Sequence, residues 1–194
     1  MKTVFVDVDT QLDFLYPAGA LYVPGAEHIV PAVERLNRYA AAHRIPVLST
    51  ADAHAENDPE FGQWPPHCVA GTTGQHKAAA TLLDKPVTVP NCDCELSLEG
   101  AQQVIVEKQS VDVFTARNLE RILRMLDADR FVVYGVVTEI CVRSAARGLL
   151  AAGKPVVLVA DAVKELRADE AARTMDELRS RGVTISSVAE ICAD

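Results

Sequence analysis

The sequence predicts an α/β fold, a three-layer α/β/α sandwich on a six-stranded, mainly parallel sheet. Three observations predict it. Short apolar runs of strand length alternate with longer stretches whose apolar residues recur at helical spacing. Glycines stand where helical patterns stop. No apolar run reaches the roughly 18 residues that a membrane span needs.

Taken in order, the run Thr3–Val8 is rich in Val and Phe and reads as a buried strand. Ile29, Val33, Leu36 and Ala40 then recur at helical spacing, with Pro31 tolerable in the first turn. Residues 46–50 form the second expected strand and residues 104–106 the third. Thr115 is expected to cap a helix whose Leu119, Ile122, Leu123 and Leu126 share a face. Residues 130–135 are the fourth strand. A helix over about 139–152 presents Val142, Ala145, Ala146 and Leu149 together, and Gly153 ends it. Residues 155–160 are the fifth strand, residues 168–181 a helix stopped by Gly182, and residues 183–185 the sixth strand. There is no internal repeat and no low-complexity linker. Residues 51–74 lack clean periodicity and are dense in His, Asp, Glu and Pro. A loop that long inside a compact domain is usually functional.

The chain of 194 residues suits a single domain over 1–194. At that size it buries about 70% of its unfolded surface, enough to fold without disulfides or a structural metal. A composition of 49% hydrophobic and 24% charged residues excludes disorder and fibrous classes. The net charge of -8 disfavours nucleic acid as a partner, because an acidic surface repels phosphate backbones. An aspartate at position 7 comes too early for a signal-peptide core, so a cytoplasmic location with no membrane partner is expected. Homo-oligomerisation stays open. The five cysteines, Cys68, Cys92, Cys94, Cys141 and Cys192, are odd in number and irregularly spaced, which argues against a disulfide framework.

Ligands of open parallel sheets bind beyond the carboxyl ends of the strands. Asp9 follows the first expected strand, Asp52 and His54 the second, Lys108 the third, and Gly135-Val136-Val137-Thr138-Glu139-Ile140-Cys141 the fourth. An acid, a lysine, a cysteine and a pair of metal donors thus fall on one rim. Cys141 is the candidate nucleophile. In the first turn of a helix, unpaired N–H groups would lower its pKa and could hold an oxyanion. Read alone, a free cysteine is more often small core filler. Asp9 could serve as its base, or simply end a strand. Lys108, beside Glu107, could stabilise anions or be a solvated strand end. Asp52 and His54 lie two apart, on one side of an extended segment, and Glu60 and His67 follow. Their mixed O and N donors suit Zn, Mn or Fe better than Ca or Mg, although surface loops often carry such residues. The single Cys92-Asp93-Cys94 pair lacks the second pair of a zinc site. Trp64, the only tryptophan, could pack its loop or join Phe14 in stacking on a flat aromatic ligand.

These residues resemble the isochorismatase-like cysteine hydrolases and, within them, the nicotinamidases. Asp9-Thr10-Gln11-Leu12-Asp13-Phe14 is similar to the family's Asp-x-Gln-x-Asp-Phe opening, and Asp52-Ala53-His54 to its Asp-x-His metal motif. Trp64-Pro65-Pro66-His67-Cys68-Val69-Ala70-Gly71-Thr72 resembles the nicotinamidase Trp-Pro-Pro-His-Cys-Val-x-Gly-Thr stretch. Glu107-Lys108 matches the setting of the family's lysine, and the run from Gly135 to Val142 its nucleophile motif. The matches keep the family's order from Asp9 to about Asp161. Glu60 departs from the pattern, since many nicotinamidases carry a third histidine there and some a glutamate.

The resemblance implies an amidohydrolase that converts nicotinamide to nicotinate and ammonia through a thioester. It implies Asp9, Lys108 and Cys141 as the catalytic set, and an oxyanion hole at Val137 and Cys141 behind a cis Val136–Val137 bond. It further implies one divalent transition metal ion, Zn first and Mn or Fe next, on Asp52, His54, His67 and Glu60. Phe14 and Trp64 would stack on the substrate ring. Two alternatives remain. One is a metal-free hydrolase of the same fold acting on another amide or on isochorismate. The other is a catalytically silent metal-binding protein.

Overall fold

The computed structural model describes residues 1–193 of the chain. Seven strands form one sheet in the order β3-β4-β2-β1-β5-β6-β7. They are β1 (Thr3–Val8), β2 (Val47–Asp52), β3 (Pro86–Val89), β4 (Gln103–Lys108), β5 (Arg130–Val136), β6 (Val156–Lys164) and β7 (Thr184–Ser186). Every pairing is parallel. The helices are α1 (Leu12–Leu15), α2 (Val30–Ala42), α3 (Leu119–Leu126), α4 (Arg143–Ala151), α5 (Ala168–Ser180) and α6 (Val188–Ile191). They cover both sides of the sheet. Helix α2 packs with α6 and against β1, β2 and β6, while α4 packs with α5 and against β5 and β6. No helix among the described residues is long and apolar enough to cross a membrane.

The sheet has seven strands, not the six read from the sequence. The added strand is β3, an edge strand only four residues long that opens on Pro86. A proline costs nothing at an edge where no ladder bond is needed, but it hides the strand from pattern reading. Three further details differ. Thr115 does not cap α3; it closes a short 3-10 turn, where its hydroxyl donates to the Asp112 carbonyl. Strand β6 runs four residues beyond position 160, because it continues alongside β5 past a bulge at Val133/Gly135. The helix read over 139–152 splits into a π-turn at Thr138–Val142 and then α4.

The central strands β4, β2, β1 and β5 are nearly all buried, so their apolar side chains meet helices on both faces. Their register brings the carboxyl ends level: Asp52 pairs with Lys108, and Val8 with Gly135. A Cβ on Gly135 would lie 2.1 Å from the Val8 carbonyl oxygen, and its φ is +118°. Only glycine lets β5 approach β1 this closely just before the turn that carries Cys141.

Candidate active site

Sequence order to either side of β1 reverses at the middle of the sheet, the usual place for a ligand crevice. The residues beyond these strand ends come together there. Lys108 is 1% exposed, and its Nζ lies 3.0 Å from Asp9 Oδ2 and 3.9 Å from Cys141 Sγ. It also donates to Asp52 Oδ1. Two carboxylates hold this buried ammonium charged. Burial alone would push its pKa down, but Asp52 and then Asp9 raise it well above the ordinary lysine value.

Asp9 is fully buried, with φ +50°, and its Oδ1 accepts from Thr50 Oγ1 at 2.5 Å. Its Oδ2 has no aligned hydrogen bond despite the nearby ammonium. Burial raises its pKa, Lys108 pulls the other way, and the upward shift wins. Cys141 departs from expectation. It sits in the π-turn, and its thiol is pushed well above the ordinary value rather than below it. Desolvation exceeds the opposing pull of Lys108, and the Asp9 and Asp52 charges add to the rise. The Val136–Val137 peptide bond is cis.

Asp52, His54 and His67 form the second group. Their nearest donor atoms all lie within 4.8 Å of one another. His54 Nε2 lies 3.8 Å, and His67 Nε2 3.7 Å, from Asp52 Oδ2. His67 Nδ1 lies 2.7 Å from the Pro65 carbonyl, so that nitrogen carries the proton and Nε2 keeps its lone pair. His54 Nδ1 faces Asp58 Oδ2 at 3.1 Å, while His54 Nε2 is buried with no hydrogen-bond partner. Two imidazole lone pairs and a carboxylate oxygen converging in a buried spot fit a divalent transition ion. Asp52 is pushed up by burial, but Lys108 and the two histidines outweigh this and hold it well below the carboxylate range. Glu60 stays outside the cluster, on the wall of the adjoining pocket, where burial raises its pKa.

One pocket joins both groups. Asp9, Asp52, Glu60, His67, Val137 and Cys141 line it, with Phe14 and Trp64 among the apolar walls. Phe14 also packs on the His67 ring at 5.4 Å between centroids. A broader groove between α3 and α4 carries none of the buried polar groups just described.

Sequence reading passed over several residues here. Thr50 and Asp58 hold Asp9 and His54, and Phe61 packs against both histidine rings. Glu139 Oε1 accepts from the N–H groups of Leu166 and Arg167, tying the nucleophile turn to another pocket wall. Asp58 alone left a trace, an acid four residues beyond His54 and just before a proline.

The sequence profile described as "Isochorismatase domain" matches residues 3–190, and the chain belongs to that family. Among its relatives, the nicotinamidase/pyrazinamidase of Mycobacterium tuberculosis is 27% identical over 187 residues, covering 92% of this chain and 95% of that protein. An N-carbamoylsarcosine amidase of Arthrobacter sp is 25% identical over 80% of this chain, which spans only 57% of that relative's length. The crystal structure of the Pyrococcus horikoshii pyrazinamidase in complex with zinc superposes with a TM-score of 0.80 at 31% identity. It covers 96% of this chain and 99% of its own.

Proposed function

We propose that this member of the isochorismatase family is a nicotinamidase, hydrolysing nicotinamide to nicotinate and ammonia through a cysteine thioester. One observation carries the reading. Asp52 turns one oxygen to Lys108 and the other to two histidine Nε2 atoms, so a thiol site and a nitrogen-donor metal site share one small pocket.

Cys141 rests as a thiol, since its pKa is raised. Asp9 takes the proton as the sulfur bonds to the carboxamide carbon, and its own raised pKa makes it a better base. The N–H groups of Val137 and Cys141 hold the oxyanion. Asp9 returns the proton to the departing ammonia. It then activates the water that cleaves the thioester and regenerates the thiol. Lys108 balances the carboxylates throughout. Asp52, His54 and His67 would hold one divalent ion, Zn first and Mn or Fe next, with Glu60 on the adjoining pocket wall as a fourth ligand or a partner through water. Such an ion, when bound, supplies a Lewis-acid anchor for a pyridine nitrogen. Phe14 and Trp64 flank the ring.

Ammonia release from nicotinamide and benzamide tests this, with the protein zinc-loaded or chelator-treated. Benzamide has the same shape without the ring nitrogen. The loaded protein should favour nicotinamide by at least about tenfold, equivalent to ~1.4 kcal/mol. The gap should shrink on chelation, and Cys141→Ala should abolish turnover of both. Equal turnover of the two amides, indifferent to metal, replaces this reading with the metal-free hydrolase.

A further inference from the structure

We propose that Gln11 and Asp13 are positioning residues that set the metal ligands from the segment carrying Asp9. The inference rests on the metal assignment above.

Gln11 is fully buried and forms a closed pair of bonds with the backbone of Asp52. Its Oε1 accepts from Asp52 N–H at 2.7 Å, and its Nε2 donates to the Asp52 carbonyl at 2.8 Å. The side chain replaces a rung of ladder beyond the point where β1 stops. It also donates to the Gln75 carbonyl at 2.7 Å, so rotation about its last bond is blocked on two sides.

Asp13 does the same for His67. Its Oδ2 accepts from Cys68 N–H at 2.7 Å and its Oδ1 from Ala20 N–H at 2.9 Å. Cys68 follows His67 directly and has φ +43°, a conformation rare outside glycine. That backbone therefore has to be held, and a buried carboxylate on its N–H holds it. The carboxylate itself is caged. A Cβ on Gly74 would lie 2.2 Å from the Asp13 carboxyl atoms, so residue 74 must be glycine for Asp13 to sit there.

Asp9, Gln11 and Asp13 thus alternate along one segment. The first faces Cys141, and the other two fix Asp52 and His67. The two anchors differ in one testable respect. Asp52 is shared with Lys108, whereas no hydrogen bond or ion pair joins His67 to Asp9, Lys108 or Cys141. Disturbing Gln11 should reach Cys141, and disturbing Asp13 should not.

The experiment uses the full chain stripped of metal, titrated with zinc and separately with cobalt(II), whose visible bands report ligand geometry. Asp13→Asn and Gln11→Glu keep side-chain size but turn one bond of each clamp repulsive. Each should weaken zinc binding by at least about tenfold and alter the cobalt spectrum. Iodoacetamide should label Cys141 at the parental rate in Asp13→Asn and at a changed rate in Gln11→Glu. If the parent binds no zinc, the metal assignment itself falls. If the parent binds and both variants match it within twofold with unchanged cobalt bands, the positioning proposal is overturned. Should Asp13→Asn fail to fold, the Gln11→Glu titration decides alone.

Discussion

Strand β1 and the residue just past its end supply two buried aspartates two residues apart, Asp7 and Asp9, each facing a buried lysine. They differ in how completely they are satisfied. Asp7 Oδ1 accepts from Thr10, and its Oδ2 meets Asn37, Ser49 and Lys77 at 3.1, 3.4 and 3.2 Å. Asn37 in turn accepts from Tyr134, and Lys77 donates to Thr10. Both carboxylate oxygens there have hydrogen-bond partners. Asp9 has one oxygen on Thr50 and the other without an aligned bond, beside a thiol. A saturated buried carboxylate rigidifies a fold, and an unsaturated one is available for proton transfer. The lysines differ likewise: Lys77 has one carboxylate and Lys108 has two.

Matched substitutions should separate the two sites. Asp9→Asn is expected to cut turnover by about 10²–10⁴, the range of a lost general base. It should leave the melting temperature close to the parent's, because Lys108 still has Asp52. Asp7→Asn should do the reverse. It leaves Lys77 buried against a neutral amide, and breaking such a pair costs about 3–5 kcal/mol. Urea midpoints and ammonia release on both variants check this. Large stability loss in Asp9→Asn with normal kcat for the folded fraction would erase the distinction.

A smaller effect sharpens the comparison through pH. Only the anionic form of Asp9 can accept the thiol proton. Burial has raised its pKa above 3.8, so kcat/KM should fall with decreasing pH at a point above the ordinary carboxylate range. The sign is fixed: activity is lost on acidification, and Lys108, whose pKa is raised, adds no loss of charge below its ordinary 10.5. A profile flat down to pH values near that of a free aspartate contradicts the unsatisfied environment of Asp9.

How far the sequence showed all this follows the same division. Hydrophobic periodicity located β1 to the residue, because a strand buried on both faces is a continuous apolar run. It missed β3, whose Val87 and Val89 lie between Pro86 and Pro90 at an edge. Asp52 and His54 were legible because two-residue spacing on a strand end is local geometry. Gln11 and Asp13 were visible only as letters in a motif. Their partners are backbone groups of Asp52 and Cys68, 41 and 55 residues away, and no local pattern records such a bond. The π-turn was read as α-helix because its apolar spacing blends into that of α4. The expected lowering of the Cys141 pKa failed for a different reason: burial of the thiol outweighs the nearby ammonium, and local spacing does not record that burial.

The smallest expected effect is at Cys68, and it tests whether environment rather than cysteine chemistry selects the nucleophile. Cys68 lies beside His67 in the motif, is fully buried, and has its thiol pushed up by burial and by the nearby acids. Cys141 is raised for the same first reason. What Cys68 lacks is an ammonium at 3.9 Å with an open carboxylate beside it; its sulfur meets only the Gly74 carbonyl at that distance. Cys68→Ala removes one buried atom and should cost about 1 kcal/mol of stability with turnover intact. In the unaltered protein, peptide mapping after brief iodoacetamide treatment should find Cys68 unlabelled under conditions that modify Cys141. Loss of turnover in a folded Cys68→Ala variant would move this thiol into the chemistry, and a proton path would then have to be sought on the metal side of the pocket.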